Sequence, residues 1–375
     1  MTSQIVITDL DLKPLEIDMP ELLFKLYGIR KLPIFPTKVT MKIMGMHIAE
    51  INAIRRVLTD ECLHYYMTTN DAILETDDPY INMPKLENYI SQIPLCYSIP
   101  KDIIKKLKLG INIKNNTTNN IAVLAGDLTI ESKDIELKNP IFDPTFEVFS
   151  IGAGKQVTIH NIQIITNYGK YYAGANLTCN AVYKFLDIEE YSLEDMNRKE
   201  NRIKSFVGHS GYKVSSLLAS PIHHELSFVV PATSKKYKSE INQILTDVCD
   251  NIIYRLRNIL IYIENSSKNI SYQSDSIQSS ILENVDNSDI NRFIIIIPNE
   301  THTIGNLLKR IILHEIFPSC SLVIYDITFE KNLEITINYI EGDDIHKHLI
   351  NSIKFAINEF NELKKEINKA FTAII

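Results

Sequence analysis

Val39-Thr40-Met41-Lys42-Ile43, then Gly45, then Asn52-Ala53-Ile54-Arg55-Arg56-Val57-Leu58 reads as an extended apolar run, a break and an amphipathic helix. The same design returns far along the chain as Phe293-Ile294-Ile295-Ile296-Ile297, Pro298, and Asn306-Leu307-Leu308-Lys309-Arg310-Ile311-Ile312. Asn52 aligns with Asn306, Arg56 with Arg310 and Glu61 with Glu315. Steps of three and four residues gather Asn52, Arg55 and Arg56 on one helix face, and Asn306, Lys309 and Arg310 on its counterpart. Ile48, Ile51, Ile54, Val57 and Leu58 take the opposite face of the first helix; Ile304, Leu307, Leu308, Ile311 and Ile312 take that of the second. One such helix is ordinarily a solvated surface element. A strand, a break and a polar stripe repeated at matching offsets point instead to two related modules in one polypeptide, packed against each other.

Each copy is followed, near the end of its half, by a long amphipathic helix. The first is Ser239–Ile263, with Ile241, Leu245, Val248, Ile252, Leu256, Ile259 and Ile263 on one side. The second is Ile345–Ile374, where Leu349, Ile353, Ala356, Phe360, Leu363, Ile367, Ala370 and Ile374 alternate steps of four and three. That narrow seam suits a partner helix. Two such helices in equivalent positions imply a pairing surface.

Between motif and long helix, the first half turns to short strand-like runs: Ile121–Leu124, Val157–Ile159, Ile162–Ile165 and Ala181–Phe185. Gly110, Gly152, Gly154, Gly169 and Asn pairs punctuate them. This predicts a β-rich domain at 67–187, inserted into a first module made of 37–66 and 188–264. Leu226–Val230 reads as a strand stopped by Pro231. Residues 1–36 form an N-terminal extension without assignable role, with a short helix after Pro20. Residues 265–291 have the Ser, Asn, Asp and Gln composition of a linker. The second module fills 292–375, with strands at Leu322–Ile327 and Leu333–Tyr339. The fold class is α+β.

Composition removes several functions. The 375 residues are 45% hydrophobic and carry a formal charge of −7, which disfavours a protein gripping nucleic acid through its own surface. The five cysteines, Cys62, Cys96, Cys179, Cys249 and Cys320, form no CxxC pair, so no zinc site is written and reduced, structural thiols are expected. No run reaches transmembrane length and no export signal opens the chain, so no membrane partner is expected. Gly152-Ala153-Gly154-Lys155 lacks the further Gly and the Ser/Thr of a phosphate loop and reads as a hairpin turn. Gly208-His209-Ser210-Gly211 falls one residue short of a nucleophile elbow. His223-His224-Glu225 and His346-Lys347-His348 have no complete ligand set, and His346 and His348 fall on the solvent side of the last helix. No catalytic residue, metal or cofactor is expected. A free-standing enzyme on a duplicated module would need a His, Asp or Glu cluster that is not visible. A DNA-binding factor using the Arg-bearing helices is opposed by the acidic balance.

At the two motif helices the chain resembles the α-like subunits of multisubunit DNA-dependent RNA polymerases. The first half is similar to the larger, third-largest-subunit type through Ile48–Leu58, Tyr89-Ile90-Ser91-Gln92-Ile93-Pro94-Leu95 and Gly169-Lys170. The second is similar to the smaller, eleventh-subunit type through Glu300-Thr301-His302-Thr303-Ile304-Gly305-Asn306-Leu307-Leu308-Lys309-Arg310. In cellular polymerases these are separate chains. Their fusion resembles large nucleocytoplasmic DNA viruses, which implies an intracellular protein of the viral factory in host cytoplasm, packaged in the virion, with the nucleus as the alternative. The chain departs from the family in lacking a Cys-rich zinc loop after Pro94-Leu95-Cys96, and in carrying Glu330-Lys331-Asn332-Leu333 where His-Pro-Leu often follows the second motif.

The resemblance implies an intramolecular pseudo-dimer of two α-like modules with a non-catalytic role. It would be an assembly platform for the largest and second-largest subunits, which do the chemistry, and for small accessory subunits, reaching DNA only through the complete complex. Asn52, Arg55 and Arg56 would dock the second-largest subunit. Ile48, Ile51, Ile54, Leu58, Ile252, Ile259, Ile304, Leu307, Leu308, Ile311, Phe360, Leu363 and Ile367 would form the pairing interface.

Overall fold

The computed structural model describes residues 5–15, 35–97, 101–104, 106–132, 141–186, 223–234, 236–265, 290–316, 320–329, 331–340 and 344–374. The helix expected after Pro20, the Gly208–Gly211 motif and all but the ends of the 265–291 linker lie outside them; Asn265 ends a helix, and Ile290 and Asn291 open a strand.

The repeated motif sequences fold as read. β1 (Val6–Pro14) and β2 (Phe35–Met44) precede α1 (Ile48–Arg56), whose start is capped by His47 Nδ1 accepting the Ala49 amide at 3.1 Å. In the second half, β12 (Ile290–Pro298) precedes α5 (His302–Ile316), followed by β13 (Cys320–Ile327), β14 (Asn332–Ile340) and α6 (Ile345–Thr372). α4 (Tyr237–Asn265) is the long helix of the first half.

Two antiparallel sheets back these helices. The first has the order β1-β2-β11-β10, with β10 at Cys179–Phe185 and β11 at His223–Thr233; the second has the order β12-β14-β13. Val6–Pro14, read as part of an extension without a role, is therefore an edge strand registered on β2 from Val6↔Met44 to Pro14↔Thr37. β10 belongs to this sheet too, although its sequence falls within the span expected to form the β-rich domain. Pro231 does not end β11. The ladder shifts between Val230 and Thr233, and this irregularity accommodates a residue that has no N–H to give.

A third sheet, order β3-β9-β5-β7 with β4 also on β9, occupies the intervening sequence. It is built from β3 (Leu63–Thr68), β4 (Ile73–Thr76), β5 (Lys108–Lys114), β7 (Thr129–Ile130) and β9 (Gln156–Tyr168). β6 (Ile121–Leu124) pairs with β8 (Glu147–Ile151) beside it, and helices α2 (Met83–Ile90) and α3 (Lys101–Ile104) complete the region. Two expected strands, Val157–Ile159 and Ile162–Ile165, are one continuous β9 that passes Asn161 at φ 63°. The Gly152–Lys155 turn is no hairpin: it carries the chain from β8, paired with β6, into β9 of the larger sheet.

Among the described residues, the apolar side chains separate into two cores. One, including Met67, Leu86, Ile111, Val123 and Ile159, fills the region of the third sheet. The other is continuous from Ile5 and Val39 through Ile51, Phe228 and Ile252 to Leu308, Ile337, Phe360 and Phe371, so it holds side chains from both halves of the sequence.

Candidate functional site

The motif helices and long helices meet in the larger core. α1 packs on α5, α5 on α6, and α4 on α6. Side-chain bonds fix the direction of α4 against α6. Lys238 Nζ donates to the Ile374 carbonyl at 2.7 Å, Asn242 Nδ2 to Asn368 Oδ1 at 3.1 Å, and Lys364 Nζ to Asp250 at 2.6 Å; Lys354 lies 3.8 Å from Glu264. As numbers rise along α4 they fall along α6, so the helices run antiparallel. Ile51, Ile54, Leu58, Ile252, Ile259, Ile304, Leu307, Leu308, Ile311, Phe360, Leu363 and Ile367 are all buried in this one cluster. Ile48, expected among them, is only half-buried and stands outside it; the fully buried neighbour is Glu50. Gly305 lets α5 approach its sheet, because a Cβ there would stand 2.5 Å from the Tyr325 ring and 2.8 Å from Leu333.

The polar stripes diverge. Arg55 Nε donates to Asn52 Oδ1 at 3.0 Å, and both side chains are half-exposed. Arg56, 34% exposed, lies 3.6 Å from Glu61. It also opposes the upward push that burial gives the Tyr325 phenol on β13. Arg310 turns inward, 3.2 Å from Glu50 and 4.0 Å from Glu359. Asn306 and Lys309 remain half-exposed beside it. Burial raises the Glu50 carboxyl to about 7, with Arg310 and backbone amides pulling the other way.

A second buried network was not visible in the sequence. α1 continues into one wider helical turn, Val57–Glu61, whose Leu58 carbonyl accepts the Thr178 hydroxyl at 3.0 Å. At its end Glu61 is 3% exposed. Arg255 of α4 donates to Glu61 at 2.5 Å, to Glu300 at 2.6 Å and to the Thr301 hydroxyl at 2.9 Å. The Thr303 hydroxyl also donates to Glu61. Burial alone would raise Glu61, but Arg255, Thr303 and Arg56 outweigh it and hold this carboxyl below its ordinary value. One guanidinium thus ties the end of the first motif to the start of the second. The clue available in the sequence was the polar string Glu300-Thr301-His302-Thr303 ahead of an apolar helix.

His224 and His346 make packing contacts within the fold. His224 is buried with Nε2 3.0 Å from the Met46 carbonyl. His346 is not on a solvent face; it is half-buried, edge-on to Phe293 at 5.7 Å. Among the described residues, no group of three or more His, Cys, Asp or Glu could hold a metal ion, and no helix is long and apolar enough to cross a membrane.

No protein-family profile matches the chain. Over 97% of its length, however, it is 30% identical to the "DNA-directed RNA polymerase RPB3-11 homolog" of African swine fever virus, isolate Pig/Kenya/KEN-50/1950, covering 98% of that protein. The homologue of isolate Tick/Malawi/Lil 20-1/1983 is 29% identical over the same shares. The chain belongs to the RPB3-11 family of DNA-directed RNA polymerase subunits. In this RPB3-11-type subunit the match runs across both motif helices, the third sheet and both long helices.

Proposed function

We propose that the chain is the non-catalytic platform on which a multisubunit RNA polymerase assembles. Its architecture on this reading is an intramolecular pseudo-dimer of two α-like modules. The first, at 37–66 and 188–264 with the strands at 6–14 and 179–185 added to it, is interrupted by a β-rich domain. The second is at 292–375. The two large subunits carry the magnesium and the phosphoryl transfer. The second-largest docks on α1 through Asn52 and Arg55 with Arg56 beside them, and the largest docks on the second half. Small accessory subunits join the same platform, and DNA is reached only through the complete complex. The viral origin of the relatives supports an intracellular site of action, in a viral factory and the virion.

The observation that carries this reading is the single core shared by α1, α4, α5 and α6. Each large apolar side chain removed from water contributes roughly 1.5–3 kcal/mol gross. A dozen of them from both halves outweigh the scattered ion pairs at the helix edges. The test is a protease site introduced into 266–289 of the full-length chain. After cleavage the two pieces should remain one complex through gel filtration at micromolar concentration. Clean separation into two folded monomers would sink the pseudo-dimer.

A further inference from the structure

The end of the first motif helix abuts a turn from the third sheet. The Lys170 amide donates to the Asp60 carbonyl at 3.0 Å, which holds the turn leaving β9 against the last residues of the motif. Gly169 makes that approach possible. A Cβ there would stand 2.9 Å from Asp60 Cα and 2.0 Å from Asn176 Oδ1, so a side chain would force the two segments apart. The turn is closed by the Tyr171 and Tyr172 amides, which donate to the Tyr168 carbonyl at 3.0 and 3.1 Å. Lys170 Nζ lies over the Tyr168 and Tyr171 rings, 5.2 and 5.0 Å from their centroids.

Arg55, Arg56 and Lys170 all act on Asp60, whose carboxyl is pushed up by burial and by Glu61 and held back by these three cations. Glu61 is already engaged by Arg255 and Thr303. The local balance is therefore positive, in a chain whose formal charge is −7. Beside the cations, Tyr171 is 66% and Leu63 53% exposed. Tyr171 also borders a groove of 390 Å³ along α2, lined by Glu87, Asn88, Ser91, Gln92 and Tyr172 among others.

We propose that the docking surface on α1 continues across the Tyr168–Tyr172 turn, and that its occupant is an acidic segment of the second-largest polymerase subunit carrying an aliphatic or aromatic anchor. This rests on the docking role given to α1 above. An ammonium resting on two rings is held in place without being neutralised, so its charge stays available to a carboxylate. Tyr171 offers a large, stiff contact that loses little entropy when covered. The partner's acidic residues would pair with Arg55 and Lys170 while its anchor lies along Tyr171 and Leu63.

The experiment measures binding of full-length Arg55→Glu, Lys170→Ala and Tyr171→Ala variants to the purified second-largest subunit at low and high salt, with melting temperatures as the fold control. All three substituted residues lie at the surface, so the melting temperatures should stay close to wild type. Each turn variant should weaken binding by roughly tenfold or more, and Lys170→Ala should also reduce the salt dependence. If Arg55→Glu abolishes binding while both turn variants bind normally, the surface ends at the helix: this inference falls and the docking role of α1 stands. If all three bind normally, both fall. If only the turn variants lose affinity, continuity with α1 is overturned. Binding that does not weaken with salt would overturn the acidic occupant.

Discussion

The two motif helices share a sequence pattern and differ in what surrounds it. Arg310 on α5 is 17% exposed and faces Glu50, which is fully buried on α1. Arg56, its counterpart, is 34% exposed and meets the edge of an already engaged Glu61 at 3.6 Å. The cause is one position. The residue two before the shared Asn is Glu50 in the first helix and Ile304 in the second. α1 therefore offers a buried carboxylate to its neighbour at this position, where α5 has an apolar side chain. A duplicated pattern has been divided: one copy spends its basic residue holding the halves together, and the other keeps its basic residues at the surface. A repeat in sequence thus marks common architecture without marking a common role.

The largest expected effect comes from the residue that ties both motifs. Arg255→Ala leaves Glu61 and Glu300 without their shared cation, and a broken buried pair costs about 3–5 kcal/mol. Urea unfolding of the full-length chain should show that loss. A change below about 1 kcal/mol would mean that the network contributes nothing to joining the motifs.

The comparison itself is tested by truncating the two equivalent arginines. Arg310→Ala strands Glu50 in the core and should cost about 2–3 kcal/mol. Arg56→Ala, at a partly exposed pair whose carboxylate keeps Arg255, should cost less than about 1 kcal/mol. Equal costs would break the asymmetry argued from Glu50 and Ile304.

A more gradual effect is a pH slope. Folded Glu50 takes up a proton below about 7, whereas its ordinary value is 4.5. Between those values the folded chain binds the extra proton, so the contribution of Glu50 to stability falls as pH rises through the window. Glu61 has the opposite sign: its lowered carboxyl stabilises above the ordinary carboxylate range and that contribution is lost as pH falls. Comparing wild type with Glu50→Gln isolates the first group. Relative to the variant, wild-type stability should decline between about pH 5 and 7 by up to ~1.4 kcal/mol per unit. Parallel curves would show that Arg310 keeps Glu50 charged throughout.

The helices were legible because periodicity alone marks a buried face; α4 and α6 lie within two residues of where that pattern places them. The burial of twelve expected residues in the shared core follows from the same signal. What escaped depends on partners distant in sequence. β1 contains Asp9 at φ 51° and a register shift between Thr8 and Asp11, so its alternation is blurred, and only pairing with β2 makes it a strand. Asn161 and Pro231 look like breaks, yet a sheet absorbs each with a local irregularity. Glu50, Glu61 and Arg255 read as ordinary helix charges; burial on a facing helix turns them into a network, and no local pattern reveals that. The polar stripe of α1 was legible as a surface. The turn carrying Lys170 and Tyr171 beside it was not, because that contact joins segments more than a hundred residues apart.

The last helix also carries a consequence for synthesis. α6 packs on α4 and on β1, the first of the described strands. Leu245, Ile252 and Ile259 of α4 cannot find their final cover until the sequence around Phe360 and Phe371 has left the ribosome. At about 5–20 residues per second, the hundred or so residues after α4 leave its apolar seam uncovered for roughly 5–20 s on every round of translation. Splitting the gene into two chains would lengthen that exposure to the time of a bimolecular encounter. Fusing them confines it to the time needed to finish one polypeptide.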